Sequence, residues 1–202
     1  MSKLAFNIIL LGNSSVGKSC LISKYAKNIF QDNYLSTVGV DFLSKEININ
    51  NQKINLKILD TCGQERYKSI ASNYYRKVDG IMFVFDVTNK TSFDEVKTWL
   101  ISVDSVNDNC QKILVGNKID LENNRNINKE NIEKKAKELN MKYYETSAKT
   151  GQNVEEAFTE LVNLILNNKG NINNKNGKQG NKNIELDYKD NKKNIKLNCC
   201  KN

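Results

Sequence analysis

The spacing Gly-x4-Gly-Lys-Ser at 12–19 (GNSSVGKS) constrains this chain more than any other feature in it. It follows a short apolar run, residues 6–11, and opens a segment, 18–27, whose apolar Cys20, Leu21, Ile22, Tyr25 and Ala26 give a helical face. A strand, a glycine-bearing turn and a helix in that order make a phosphate-binding loop. Glycines let successive backbone N–H groups turn inward around an anion. The helix start adds partial positive charge, Lys18 adds a full one, and Ser19 offers a hydroxyl to Mg²⁺.

Charge location narrows the function classes. The 202 residues carry a net charge of +8, which taken alone suggests a nucleic-acid binder. Residues 168–202 hold nine Lys against three acids, so 22 basic and 20 acidic residues remain for 1–167. A nearly neutral body with a basic tail suits a membrane surface better than a nucleic-acid groove, and a solvated linker is the other reading of that tail. Five cysteines, with no Cys-x-x-Cys pair and no histidine, give no zinc site and point to a reducing compartment. No apolar run approaches the length of a spanning helix.

Strands and helices alternate after the loop. Residues 41–50 alternate imperfectly, Asn50-Asn51 makes a turn, and Ile54, Leu56 and Ile58 alternate up to Asp60, which predicts a hairpin. GIMFVFDV (80–87) and KILVG (112–116) are continuous apolar runs, as expected of strands covered on both faces. Between them 92–107 reads as one helix with Phe93, Val96, Leu100 and Val103 on its inner face and Ser92 as cap. A charged helix (129–140), a short strand (142–146) and a last helix (154–166) follow. The order predicts an α/β fold: a doubly wound six-stranded sheet, mostly parallel with one antiparallel edge strand, and helices on both faces.

Ligands of such sheets bind beyond the carboxyl ends of the strands. The candidate motifs all fall there: the phosphate loop after strand one, DTCGQE (60–65) after strand three, NKID (117–120) after strand five and ETSAK (145–149) after strand six.

With these four motifs in order, the chain resembles the Ras-like small GTPases, P-loop proteins with a G domain, and is most similar to their Rab branch. The resemblance covers residues 5–167 and extends to STVGVDF (36–42), YYR (74–76) and a terminal Cys-Cys. It implies a G domain at 1–167, a flexible basic tail at 168–202, and GTP/GDP with Mg²⁺ as ligands. Nucleotide contacts are then expected from Ser14, Ser15, Val16, Gly17, Lys18, Ser19, Cys20, Phe30, Thr37, Gly63, Asn117, Lys118, Asp120, Ser147, Ala148 and Lys149. Asp120 is expected to accept from the N1–H and exocyclic amine of guanine, and as a buried carboxylate to reject adenine. Ser19 and Thr37 are expected on the metal, with Asp60 acting through a water.

The reaction implied is in-line attack of water on the γ-phosphate, with Gln64 orienting the water and Lys18 and Thr37 completing the catalytic set. No arginine finger is evident within the chain, so intrinsic turnover on the order of 10⁻⁴ to 10⁻³ per second is expected, with acceleration by an activating protein. The resemblance also implies an exchange factor, a GDP dissociation inhibitor, an escort protein and effectors as partners of a monomer that binds no nucleic acid. Geranylgeranyl groups on Cys199 and Cys200 would hold it on the cytoplasmic face of intracellular membranes, from which it cycles through the cytosol, in vesicle traffic.

Three departures stand out. Ser15 stands where glycine is usual and would be strained at positive φ. Cys62 replaces an alanine. Leu59 replaces the tryptophan that normally joins Phe42 and Tyr74 in an aromatic partner-recognition patch. They keep open an alternative, a GTP-binding scaffold with little or no hydrolysis on the same fold.

Overall fold

The computed structural model describes residues 4–30, 40–61 and 74–177. Six strands form one sheet: β1 (Leu4–Leu11), β2 (Val40–Ile49), β3 (Gln52–Thr61), β4 (Gly80–Asp86), β5 (Gln111–Asn117) and β6 (Lys142–Glu145), in the order β2-β3-β1-β4-β5-β6. Only β2 runs antiparallel, against β3, from Val40 opposite Thr61 to Ile49 opposite Gln52. Asn50 and Asn51 close that hairpin at φ 52° and 61°, the two left-handed positions that a tight turn matched to strand twist requires.

The helices are α1 (Lys18–Lys27), α2 (Lys90–Asp94), α3 (Val96–Asp104), α4 (Lys129–Glu138) and α5 (Val154–Gly177). One core face packs α1 and α5 on the sheet, with Leu21, Tyr25, Phe158, Leu161 and Ile165 against Ile8, Leu10, Ile58 and Val84. The rings of Tyr25 and Phe158 stack at 3.9 Å. The other face is closed by Phe93, Val96, Trp99, Val103, Ile132 and Ala136 against Ile9, Leu11, Phe83 and Phe85. All seven residues of β4 are buried, which explains its unbroken apolar run.

Two helices differ from the sequence reading by more than a frayed end. The helix expected over 92–107 is two helices broken at Glu95, and Asn89, not Ser92, caps the first by accepting from the Ser92 N–H. Ser92 is buried instead; its hydroxyl accepts from the Asp86 N–H at 3.0 Å and donates to the Asn89 carbonyl at 2.7 Å. The last helix runs on to Gly177, past the composition change at 168. Lys169 explains the continuation locally: its ammonium pairs with Asp79 at 2.9 Å and lies 4.5 Å from the Phe6 ring centroid, so this turn still rests on the sheet. Among the described residues no helix is long and apolar enough to cross a membrane.

Candidate nucleotide-binding site

The phosphate loop leaves β1 through Gly12 and enters α1 through Gly17. A Cβ on Gly12 (φ 147°) would stand 2.0 Å from the Val84 carbonyl oxygen, and one on Gly17 (φ 95°) would stand 2.3 Å from Asn117 Nδ2. Only glycine lets the loop lie this close to β4 and β5. Lys18 is 5% exposed, and its ammonium donates to the carbonyls of Gly12 (2.8 Å) and Asn13 (2.7 Å), which hold the charge inside the loop's curve. Ser14 and Ser15 are exposed at the tip, Val16 is buried beneath it, and Ser19 and Cys20 lie half-buried in the first turn of α1. Ser15 has φ 63°, so the strain anticipated for a side chain at this position is present. Such a residue costs about 1–2 kcal/mol relative to glycine.

Asn117 joins the three loops that follow β1, β5 and β6. Its Nδ2 donates to the Val16 carbonyl (2.9 Å), while Oδ1 accepts from the Ala148 N–H (3.1 Å) and the Thr146 hydroxyl (3.3 Å). The Ser147 hydroxyl donates to Asp120 Oδ1 at 2.6 Å and accepts from the Thr150 N–H. These bonds bring Val16, Asn117, Asp120, Ser147 and Ala148 together on one rim. Lys149 is exposed beside them, and Phe30 lies half-buried against the α1/α5 core.

Asp120 departs from expectation: it is exposed, not buried. Discrimination by a desolvated carboxylate therefore requires the bound base itself to cover it. Lys118 takes a left-handed backbone (φ 70°) and pairs with Asp86 Oδ2 at 2.7 Å. Asp86 in turn accepts from the Thr88 N–H and hydroxyl. Sequence reasoning passed over Asp86, although a carboxylate ending the wholly apolar β4 is a visible signal of a buried polar role.

Asp60 is buried at the end of β3. It and Lys118 both act electrostatically on Cys20, whose thiol is pushed up chiefly by burial, with Lys118 opposing and Asp60 reinforcing the shift. Cys20 is thus a poor thiolate donor. The chemistry of Ser19, in the first turn of α1, and Asp60, at the end of β3, both hard oxygen donors, fits Mg²⁺. Thr37, Gly63, Gln64 and Cys62 lie outside the described residues, as do Cys199 and Cys200.

Phe42 is 57% exposed and meets Tyr74 edge-on, with centroids 6.1 Å apart. Leu59, the register partner of Phe42 on β3, is 4% exposed and packs in the core with Ile9 and Leu11. At this position the chain fills its core with a leucine and brings no third ring to the exposed pair.

A glycine-lined loop around a buried lysine, at the carboxyl rim of a parallel sheet and braced by NKID and ETSAK, defines a P-loop nucleotide-binding domain. The profile of the Ras family matches residues 7–167. Curated relatives include Ras-related protein Rab-13 of Bos taurus, 41% identical over 162 residues that cover 80% of each chain. Rab-15 of Mus musculus is 42% identical over 162 residues, 80% of this chain and 76% of the relative. Rab-1 of Theileria parva is 46% identical over 162 residues, 79% of this chain and 74% of the relative. The chain belongs to the Ras family, as a Rab-like small GTPase. It binds guanine nucleotide, hydrolyses GTP, and acts as a GTP/GDP switch in intracellular trafficking.

Proposed function

We propose the following assignment of roles for this switch. Backbone N–H groups of 14–20 cradle the phosphates, and Lys18 turns from its two loop carbonyls toward the β- and γ-phosphate oxygens. Asp120 accepts from the base, Ser147 holds its carboxylate in register, and Asn117 keeps the base loops at a fixed distance from the phosphate loop. Lys118 lays its stem over the base while Asp86 holds its ammonium, and Phe30 contacts the base edge. Gln64 orients the attacking water and Thr37 closes over the γ-phosphate. Ser19 and Thr37, with Asp60 through a water, would hold a Mg²⁺ ion that neutralises charge developing on the phosphates.

What carries this reading is the Asn117 bridge, because it couples the phosphate half of the site to the base half in one rigid unit. The partners proposed are an exchange factor, an activating protein, a GDP dissociation inhibitor, an escort protein and effectors. Geranylgeranyl groups on Cys199 and Cys200, with the basic tail, would supply the two attachments that stable membrane binding needs.

Single-turnover GTP hydrolysis by the full chain, with and without Mg²⁺, tests the assignment. Slow turnover that needs Mg²⁺ and falls further in Gln64→Leu supports it. Turnover that is unaffected by removing Mg²⁺ or by Gln64→Leu overturns it.

A further inference from the structure

Asn13 is the first of the four side chains that the Gly-x4-Gly-Lys-Ser motif leaves unspecified. Its amide is held at both ends by residues more than eighty positions away: Trp99 Nε1 donates to Asn13 Oδ1 at 3.0 Å, and Asn13 Nδ2 donates to Glu95 Oε2 at 2.8 Å. An indole N–H only donates and a carboxylate only accepts, so the amide has a single orientation that satisfies both. Trp99 is 3% exposed, and its indole N–H finds a partner in this loop.

The helix break explains how α2 and α3 reach the loop. Glu95 sits between them, its carbonyl accepting from the N–H groups of Thr98 (2.9 Å) and Trp99 (3.2 Å). Glu95 and Trp99 are thus i and i+4 on one helical face, and that face meets Asn13. One residue earlier, Gly12 is packed against the Val84 carbonyl. The two carbonyls that accept from Lys18 belong to these two anchored residues.

We infer that Asn13, Trp99 and Glu95 form a positioning clamp: they fix the peptide units from which Lys18 is aimed, and so set how slowly guanine nucleotide leaves. The inference rests on Lys18 being the phosphate-binding cation. Releasing the Asn13 side chain lets the loop tip rotate, and the Gly12 and Asn13 carbonyls no longer hold the ammonium in one place. Each of the three acts through the loop.

The test is release of a fluorescent GDP analogue from the full chain with Mg²⁺ present. Trp99→Phe keeps an aromatic ring and removes the donor, while Asn13→Ala removes the amide from a half-buried position. Each is expected to speed release about three- to tenfold, the scale of one lost hydrogen bond. The double variant is expected to be no more than about twofold faster than the faster single one, because both break the same clamp. Asn13→Asp turns two carboxylates toward each other and speeds release; adding Glu95→Gln restores a donor–acceptor pair and returns the rate to within about twofold of the parent. A merely structural effect on folding would not be rescued in this way. Unchanged release in both single variants, multiplicative effects in the double, or no rescue by Glu95→Gln overturns the clamp. Lys18→Ala that retains full nucleotide affinity would instead remove the phosphate assignment, an outcome separate from these rates.

Discussion

The Asn117 side chain donates a 2.9 Å hydrogen bond to the carbonyl of Val16, 101 residues earlier, while its other end accepts from the Ala148 N–H. Both bonds are buried, so neither partner has water to replace the amide. Asn117→Ala is expected to cost about 2–4 kcal/mol of stability for the orphaned groups, and to lower GTP affinity about a hundredfold or more. Chemical denaturation and calorimetric titration measure the two; loss of stability without loss of affinity would contradict the bridging role.

Ser15 holds φ 63° at the exposed loop tip. Ser15→Gly is expected to stabilise the protein by about 1 kcal/mol and to change the nucleotide dissociation rate, whereas Ser15→Ala, which keeps the Cβ, gains nothing. Stopped-flow release compared with thermal melts separates the effects. An unchanged rate in Ser15→Gly would show that the strain is not coupled to nucleotide.

Asp120 presents a carboxylate whose Oδ1 is oriented by Ser147 at 2.6 Å. Asp120→Asn replaces an acceptor by a donor where guanine also donates, so guanine nucleotide affinity is expected to fall about a hundredfold or more with no gain for adenine. Competition between labelled GTP and either nucleotide reads this directly. Ser147→Ala, which only frees the carboxylate, is expected to cost roughly tenfold.

Tyr75 is buried, and its hydroxyl has no hydrogen-bond partner among the described residues. Burial pushes its phenol from 10 up to about 12. Since the folded state holds this proton more tightly, its contribution is complete below pH 10 and is lost as pH rises from 10 toward 12. Tyr75→Phe is expected to flatten that alkaline decline and to add about 1 kcal/mol at neutral pH by removing an unsatisfied buried hydroxyl. Melting temperatures at pH 8, 10 and 11 decide it; parallel curves for the two proteins would refute the assignment.

Much of the architecture is legible in the chain because it is set by local geometry. Helix α1 spans 18–27 as its apolar spacing predicts, and the Asn50-Asn51 turn closes the hairpin with the backbone those residues tolerate. The unbroken apolar runs of β4 and β5 reveal strands covered on both faces, and strand order then places the motifs on one rim. What residues near in sequence cannot carry is which side chain meets which across the fold. The break at Glu95, the pairing of Lys118 with Asp86, the burial of Leu59 and the exposure of Asp120 follow from neighbours 32 to 86 positions away or from none at all. The sequence by itself determined the class of chemistry, since a phosphate loop needs its glycines and lysine at fixed spacing along one strand–helix turn. Only the tertiary structure decided how that loop is held, because the hydrogen bonds from Asn117 and Trp99 form only after the sheet has brought distant segments within 3 Å of one another.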